Sequence, residues 1–161
     1  HAPIHRISGR RVVIHTHQNW ALALNMLEDN RLIPACQTSA FFAGRIAYDD
    51  HYYGTADTLE EGERLAGLMG DKPIVFLRNH GVLVAVDSIA RAYRMLYMLE
   101  RVCRAQIRAM STGQKLLPIS QQVIDQVQTP DEHDRHKGKR DDLYFNAMKR
   151  VLDREMPGYA E

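Results

Sequence analysis

The sequence predicts a layered α/β fold, and three observations carry that expectation. Short runs of β-branched and other apolar residues recur at Val12–Ile14, Ile74–Leu77 and Val82–Val86. Segments with apolar residues at three- and four-residue spacing alternate with them, at 19–30, 59–69 and 89–110. Period two marks strands and period 3.6 marks helices, so the alternation argues for helices packed on a sheet. It does not decide whether the strands run parallel.

Val12–Ile14 is short and β-branched, as a buried strand would be. From Asn19 to Asn30, Ala21, Leu24 and Leu27, with Ala23 and Met26, make the broad apolar face of a helix. Pro34 prevents a helix from continuing through Leu32-Ile33. Gly44 to Tyr48 fits another short strand, with Arg45 and Ala47 on one side and Ile46 and Tyr48 on the other. A polar, tyrosine-bearing loop follows, containing His51, Tyr52, Tyr53 and Gly54.

Thr58-Leu59-Glu60-Glu61 has the spacing of a capping box. The helix it opens turns Leu65, Leu68 and Met69 inward and stops at Gly70. Ile74–Leu77 and Val82–Val86 flank the turn Asn79-His80-Gly81. Both are nearly continuous apolar runs, as strands buried on two faces would be. Ser88 caps the longest helix, whose stripe is Ile89, Ala92, Tyr93, Leu96, Leu99, Cys103 and Ile107. Arg91, Arg94, Arg101, Arg104 and Arg108 lie largely elsewhere, on a solvated face or a subunit contact. Gln121–Gln128 fits a short helix. Leu143–Leu152 fits a final amphipathic one, stopped by Pro157. Residues 1–128 thus read as one domain, and 129–161 as a charged linker with a C-terminal helix and tail. His133 and His136 fall in the apolar-poor stretch 129–140, where an exposed linker is the expected reading.

Composition narrows the function. The chain has 161 residues, 45% of them apolar and 25% charged, enough for one domain with a sizeable core. A net charge of +1 gives no reason to invoke nucleic acid or an acidic membrane surface. No apolar run approaches the ~20 residues needed to span a bilayer, and no signal peptide is visible. Cys36 and Cys103 lie far apart and in no metal-type spacing. Free thiols in a reducing, cytoplasmic setting are the expected state, with one disulfide as the alternative. The chain opens His1-Ala2-Pro3 rather than with methionine, which favours a piece of a longer polypeptide.

The chemistry concentrates on His15-Thr16-His17, at the end of the first strand. Alternate residues of a strand share a side, so His15 and His17 project together, about 7 Å apart along the backbone. His80 follows another apolar run, Ile74–Leu77, and Gly81 beside it relieves backbone crowding. Three histidines at strand ends suit a shared divalent metal with room left for substrate. The other reading is three histidines held by ordinary hydrogen bonds.

These pieces together resemble the class II aldolase/adducin family. The matching segments are Val12-Val13-Ile14-His15-Thr16-His17, Ile33-Pro34-Ala35, Gly44-Arg45-Ile46-Ala47-Tyr48, Tyr53-Gly54, Leu77-Arg78-Asn79-His80-Gly81-Val82-Leu83 and Tyr97-Met98-Leu99-Glu100-Arg101. They run in the family's order from His1 to about Met110. The tail Leu152-Asp153-Arg154, with Pro157 and Tyr159, looks like the bacterial branch closest to the adducin head domain.

The resemblance implies a three-layer α/β/α fold with a largely antiparallel central sheet. It implies a divalent metal, most often Zn²⁺, held by His15, His17 and His80, and a homo-oligomer, usually a tetramer. It implies a metal-dependent lyase that acts on a small hydroxy-carbonyl or sugar-derived compound through a metal-stabilised enolate. Related family activities are epimerisation, dehydration and decarboxylation, and a non-enzymatic adducin-like interaction module is the alternative. The family's acid/base glutamate would fall just ahead of His1. Where the aldolases carry an assisting tyrosine after Ile33-Pro34-Ala35, this chain has Cys36, Gln37 and Thr38. His51, Tyr52 and Tyr53 are the substitutes to consider.

Overall fold

A computed structural model describes residues 1–52, 54, 58–129 and 139–159. Tyr53, His133 and His136, singled out above, lie outside the described residues. The chain order is α1 (Ala2–Ser8), β1 (Val12–Thr16), α2 (Asn19–Asn25), α3 (Gln37–Ala40), β2 (Ile46–Asp49), α4 (Leu59–Met69), β3 (Ile74–Leu77), β4 (Gly81–Val86), α5 (Ile89–Met110), α6 (Gln121–Gln128) and α7 (Arg140–Glu155).

The four strands form one sheet in the order β1-β4-β3-β2. β4 pairs antiparallel with both β1 and β3, whereas β2 and β3 are parallel. The sheet is therefore mixed rather than largely antiparallel. The reason is the connection. β2 returns to its neighbour β3 through helix α4, and a helical crossover delivers the chain parallel, whereas the tight turn at Asn79-His80 reverses it.

Helices cover both faces, giving three layers. Val82, Val84 and Val86 of β4, with Ile74 and Phe76 of β3, pack against Ala21 and Leu24 of α2 and the stripe Ala92, Met95, Leu96, Leu99 and Cys103 of α5. The alternate residues Leu83, Ala85, Val75 and Leu77 pack against Ile4 of α1 and Leu65, Ala66 and Met69 of α4. β3 and β4 are buried along their whole length, as their unbroken apolar sequence requires. The contact between α1 and α4 is close. A Cβ on Gly62 would stand 2.8 Å from Cγ of Pro3, so the absence of a side chain there sets the approach.

Capping follows the sequence. Thr58 Oγ1 accepts from the Glu61 amide and Ser88 Oγ from the Arg91 amide. The Glu61 carboxylate does not complete a capping box; it turns to Arg64, which also forks onto the buried Asp49 at the end of β2. Leu68 is 38% exposed, and Ala66 takes its place in the buried stripe of α4. Ile89 is exposed, Tyr93 and Ile107 are half-buried, and Ala90 and Met95 are buried with Ala92, Leu96, Leu99 and Cys103. Arg91, Arg101, Arg104 and Arg108 are exposed, and half-buried Arg94 bonds to Asp141 of α7 at 2.7 Å. Cys36 and Cys103 are both free thiols. Among the described residues no helix is long and apolar enough to cross a membrane.

Candidate metal centre

Antiparallel pairing of β1 with β4 sets Thr16 opposite Val82 and His15 opposite Leu83. The end of β1 therefore lies beside the start of β4, and His80 immediately precedes that start. This register places the turn that carries His80 beside the end of β1 that carries His15 and His17. Their ring centroids are 4.7 Å apart for His15 and His17, 4.7 Å for His15 and His80, and 4.9 Å for His17 and His80. One ring nitrogen from each lies within 4.8 Å of the others.

The tautomer of His15 follows from its surroundings. Its Nδ1 stands 3.1 Å from the carbonyl oxygen of Val82. A carbonyl only accepts, so Nδ1 carries the proton and Nε2 keeps a lone pair. That lone pair faces Nε2 of His17 at 2.8 Å. Two imidazole nitrogens at that distance share a proton or a cation. Burial and the neighbouring imidazoles hold the His15 pKa below its ordinary value, and burial and His17 do the same for His80. Neutral imidazole is the state that ligates metal. Donor type, orientation and protonation thus fit a divalent ion.

Gly81 makes the cluster sterically possible. A Cβ there would stand 2.5 Å from the Thr16 carbonyl oxygen, 2.9 Å from Cδ2 of His17 and 3.2 Å from Cε1 of His15. Gly81 follows the turn as its sequence context suggests, and its tighter constraint is this approach of β1 and the rings.

Beside the histidines lies a cavity of about 340 Å³, lined by His15, His80, Leu77, Leu83 and Thr58 and closed by Pro3 and Ile4 of α1. Its walls are largely apolar, with imidazoles at one end. The Tyr52 ring, largely exposed, is 6.3 Å from that of His80. His51 shares a small recess with both. Cys36 is spent elsewhere: its Sγ accepts from the Ser39 amide and caps α3.

Asn25 is a further residue of the site, which apolar spacing does not single out. This residue is fully buried, and its Nδ2 donates to the Gly81 carbonyl at 2.9 Å. The signal was available, since Ala21, Leu24 and Asn25 share the buried face of α2. A polar residue on an apolar face needs a partner.

A three-layer α/β fold with three histidines gathered at strand ends is what the resemblance to the class II aldolase/adducin family leads one to expect. The family model for the Class II Aldolase and Adducin N-terminal domain matches residues 1–107, and the chain belongs to that family. It is 31% identical, along its whole length, to a Caulobacter vibrioides protein named "Putative aldolase class 2 protein", and it spans 62% of that relative. It is 29% identical over 140 residues to Adducin-related protein 1 of Caenorhabditis elegans, covering 87% of this chain and 17% of that one. Among solved structures, an aldolase II superfamily protein from Pseudomonas syringae superposes with a TM-score of 0.83 at 34% identity. That match covers all of this chain and 64% of the other.

Proposed function

We propose that this chain carries the metal centre of a class II aldolase-type lyase acting on a small hydroxy-carbonyl or sugar-derived compound. The observation that carries the reading is the convergence of His15, His17 and His80, with a lone pair on His15 Nε2 enforced by Val82. These three side chains would hold the cation, Zn²⁺ being the best match to an all-imidazole set. When bound, such an ion supplies Lewis acidity for carbon–carbon bond cleavage next to a carbonyl.

The chain's own residues do the rest. The 340 Å³ cavity admits a small molecule against His15 and His80. Leu77 and Leu83 keep water from its inner wall. Thr58 lines the same cavity while its hydroxyl caps α4. Residues 1–128 form the family domain in this reading. The Gln128 amide donates to the carbonyls of Ala40 and Ala43 at the end of that domain, and 129–161 is the linker and a C-terminal helix whose Asp141 bonds to Arg94 of α5. We place the protein in the cytoplasm as a homo-oligomer, in keeping with its family.

The likeness to adducin-related proteins favours a second reading, a non-enzymatic interaction module. The two separate in one assay of the full-length protein. L-fuculose 1-phosphate and unphosphorylated ketoses are incubated with it, and aldehyde release is measured with EDTA and after Zn²⁺ is restored. The lyase reading expects release from at least one compound, lost with EDTA and regained with Zn²⁺. No release from any compound under either condition favours the interaction module.

A further inference from the structure

The two halves of the histidine cluster come from distant parts of the chain, and helix α2 joins them. It starts at Asn19, two residues after His17, and its last residue, Asn25, reaches the turn that carries His80. Asn25 Nδ2 donates to the Gly81 carbonyl at 2.9 Å, and the Asn25 carbonyl accepts from the Asn79 amide at 3.2 Å. One residue therefore grips the chain on both sides of His80. Its own amide is oriented in turn: Nδ2 of the buried Asn30 donates to Asn25 Oδ1 at 3.3 Å.

The turn needs such a grip. Asn79 sits at φ 55°, in the left-handed region that side chains other than glycine enter rarely. No disulfide holds it, as both cysteines are free. Buried side-chain amides with every hydrogen bond made orient a backbone more strictly than apolar packing does.

We infer that Asn25 is a positioning residue that locks the Asn79-His80-Gly81 turn onto helix α2 and so holds His80 in register with His15 and His17. The inference rests on the metal-centre reading for its functional meaning, but the grip itself is testable without metal. An Asn25→Asp change keeps the shape and turns an acceptor toward the Gly81 carbonyl. Asn25→Ala removes the amide. Asn30→Ala leaves Asn25 in place and frees its orientation, at the loss also of the bond from Arg31 to Asn30 Oδ1.

The experiment compares these three variants with the parent as full-length proteins. Zn²⁺ affinity is measured by competition with a chromogenic chelator, the Co²⁺ absorption spectrum is recorded, and amide hydrogen exchange is followed on the chelator-treated protein. Loss of an outer-shell partner weakens metal sites by roughly 10–100-fold. That loss is expected for Asn25→Ala and Asn25→Asp, with a changed Co²⁺ spectrum and a smaller effect for Asn30→Ala. Exchange should quicken at His80 and Gly81 while Val75, inside β3, keeps its parental protection. Unchanged exchange at the turn in the folded variants overturns the proposal. Equal quickening at Val75 and the turn also overturns it, since Asn25 would then be general packing. A parent that takes up neither Zn²⁺ nor Co²⁺ defeats the metal reading alone, and the exchange data still decide the grip.

Discussion

The carbonyl oxygen of Val82 and Nδ1 of His15, 3.1 Å apart, tie strand β4 to the ring at the end of β1. The same strand start supplies Gly81, whose missing side chain admits the rings of His15 and His17. Site and sheet are one construction here, so changes at the strand start should report on both.

Gly81→Ala tests that directly. The new methyl would meet the Thr16 carbonyl oxygen at 2.5 Å, and backbone yields less readily than a flexible side chain. Overpacking of this kind costs about 1–3 kcal/mol. Urea unfolding of the variant should show that loss, and its Zn²⁺ affinity should fall as well, because β1 must shift and carry both histidines with it. Parental stability together with parental affinity would show that the approach is looser than described.

The metal-free protein should lose stability in acid through the same histidines. His15 and His80 have pKa values below the ordinary 6.5 in the folded state, through burial and neighbouring imidazoles. The unfolded chain then binds more protons than the folded one in that window, so stability rises with pH. It is complete above pH 6.5 and declines as the pH falls from there through the depressed values. Chemical denaturation of chelator-treated protein between pH 7.5 and about pH 5 measures it. The slope should flatten in a His15→Asn/His80→Asn double variant. A slope identical in parent and double variant would place the acid sensitivity elsewhere.

Helix α2 has no side-chain cap from its own N-cap residue, Gln18. Glu100 of α5 does that work from across the layer, accepting from the Trp20 amide at 2.9 Å and the Ala21 amide at 3.0 Å. Hydrogen bonds to a charged group contribute about 1.5–3 kcal/mol each in favourable cases. Glu100→Ala should therefore lower stability by roughly 2–3 kcal/mol, a fall in Tm of about 4–12 °C for a chain of this size. Glu100→Gln, which keeps an acceptor, should lose less. Equal losses in the two variants would mean that packing, not capping, carries the effect.

What the sequence disclosed follows from where each determinant lies. β1, β3, β4, α4 and α5 were recognisable because each is decided by its own apolar spacing and caps. His15 and His17 pair visibly because alternate residues of a strand share a side, whereas the approach of His80 depends on the pairing of β1 with β4, which only the family resemblance implied. The end of α2 was not. Apolar spacing extends to Asn30, but the helix stops at Asn25, whose carbonyl bonds to the Asn79 amide from the turn before β4. Met26 and Leu27 are left exposed as a result. Helix α1 escaped notice because only Pro3 and Ile4 of its seven residues are buried. Four-residue α3 depends on a cysteine cap, a weak signal at best. The parallel pairing of β2 with β3 is a property of topology, to which apolar alternation within a strand is blind. Asn25 was passed over for a similar reason, since its partners Gly81 and Asn79 lie beyond any local window.

The central claim is that His15, His17 and His80 hold one divalent ion. Elemental analysis of the purified full-length protein, repeated on His15→Ala and His80→Ala variants, tests it most directly. The expected result is one ion per chain in the parent and none in either variant, with both variants still unfolding cooperatively. Zn²⁺ at about a hundred times its dissociation constant should stabilise the metal-free parent by roughly 2.7 kcal/mol. A parent without metal that gains no stability from Zn²⁺ or Mn²⁺, or a His80→Ala variant that keeps the parent's ion, would contradict it.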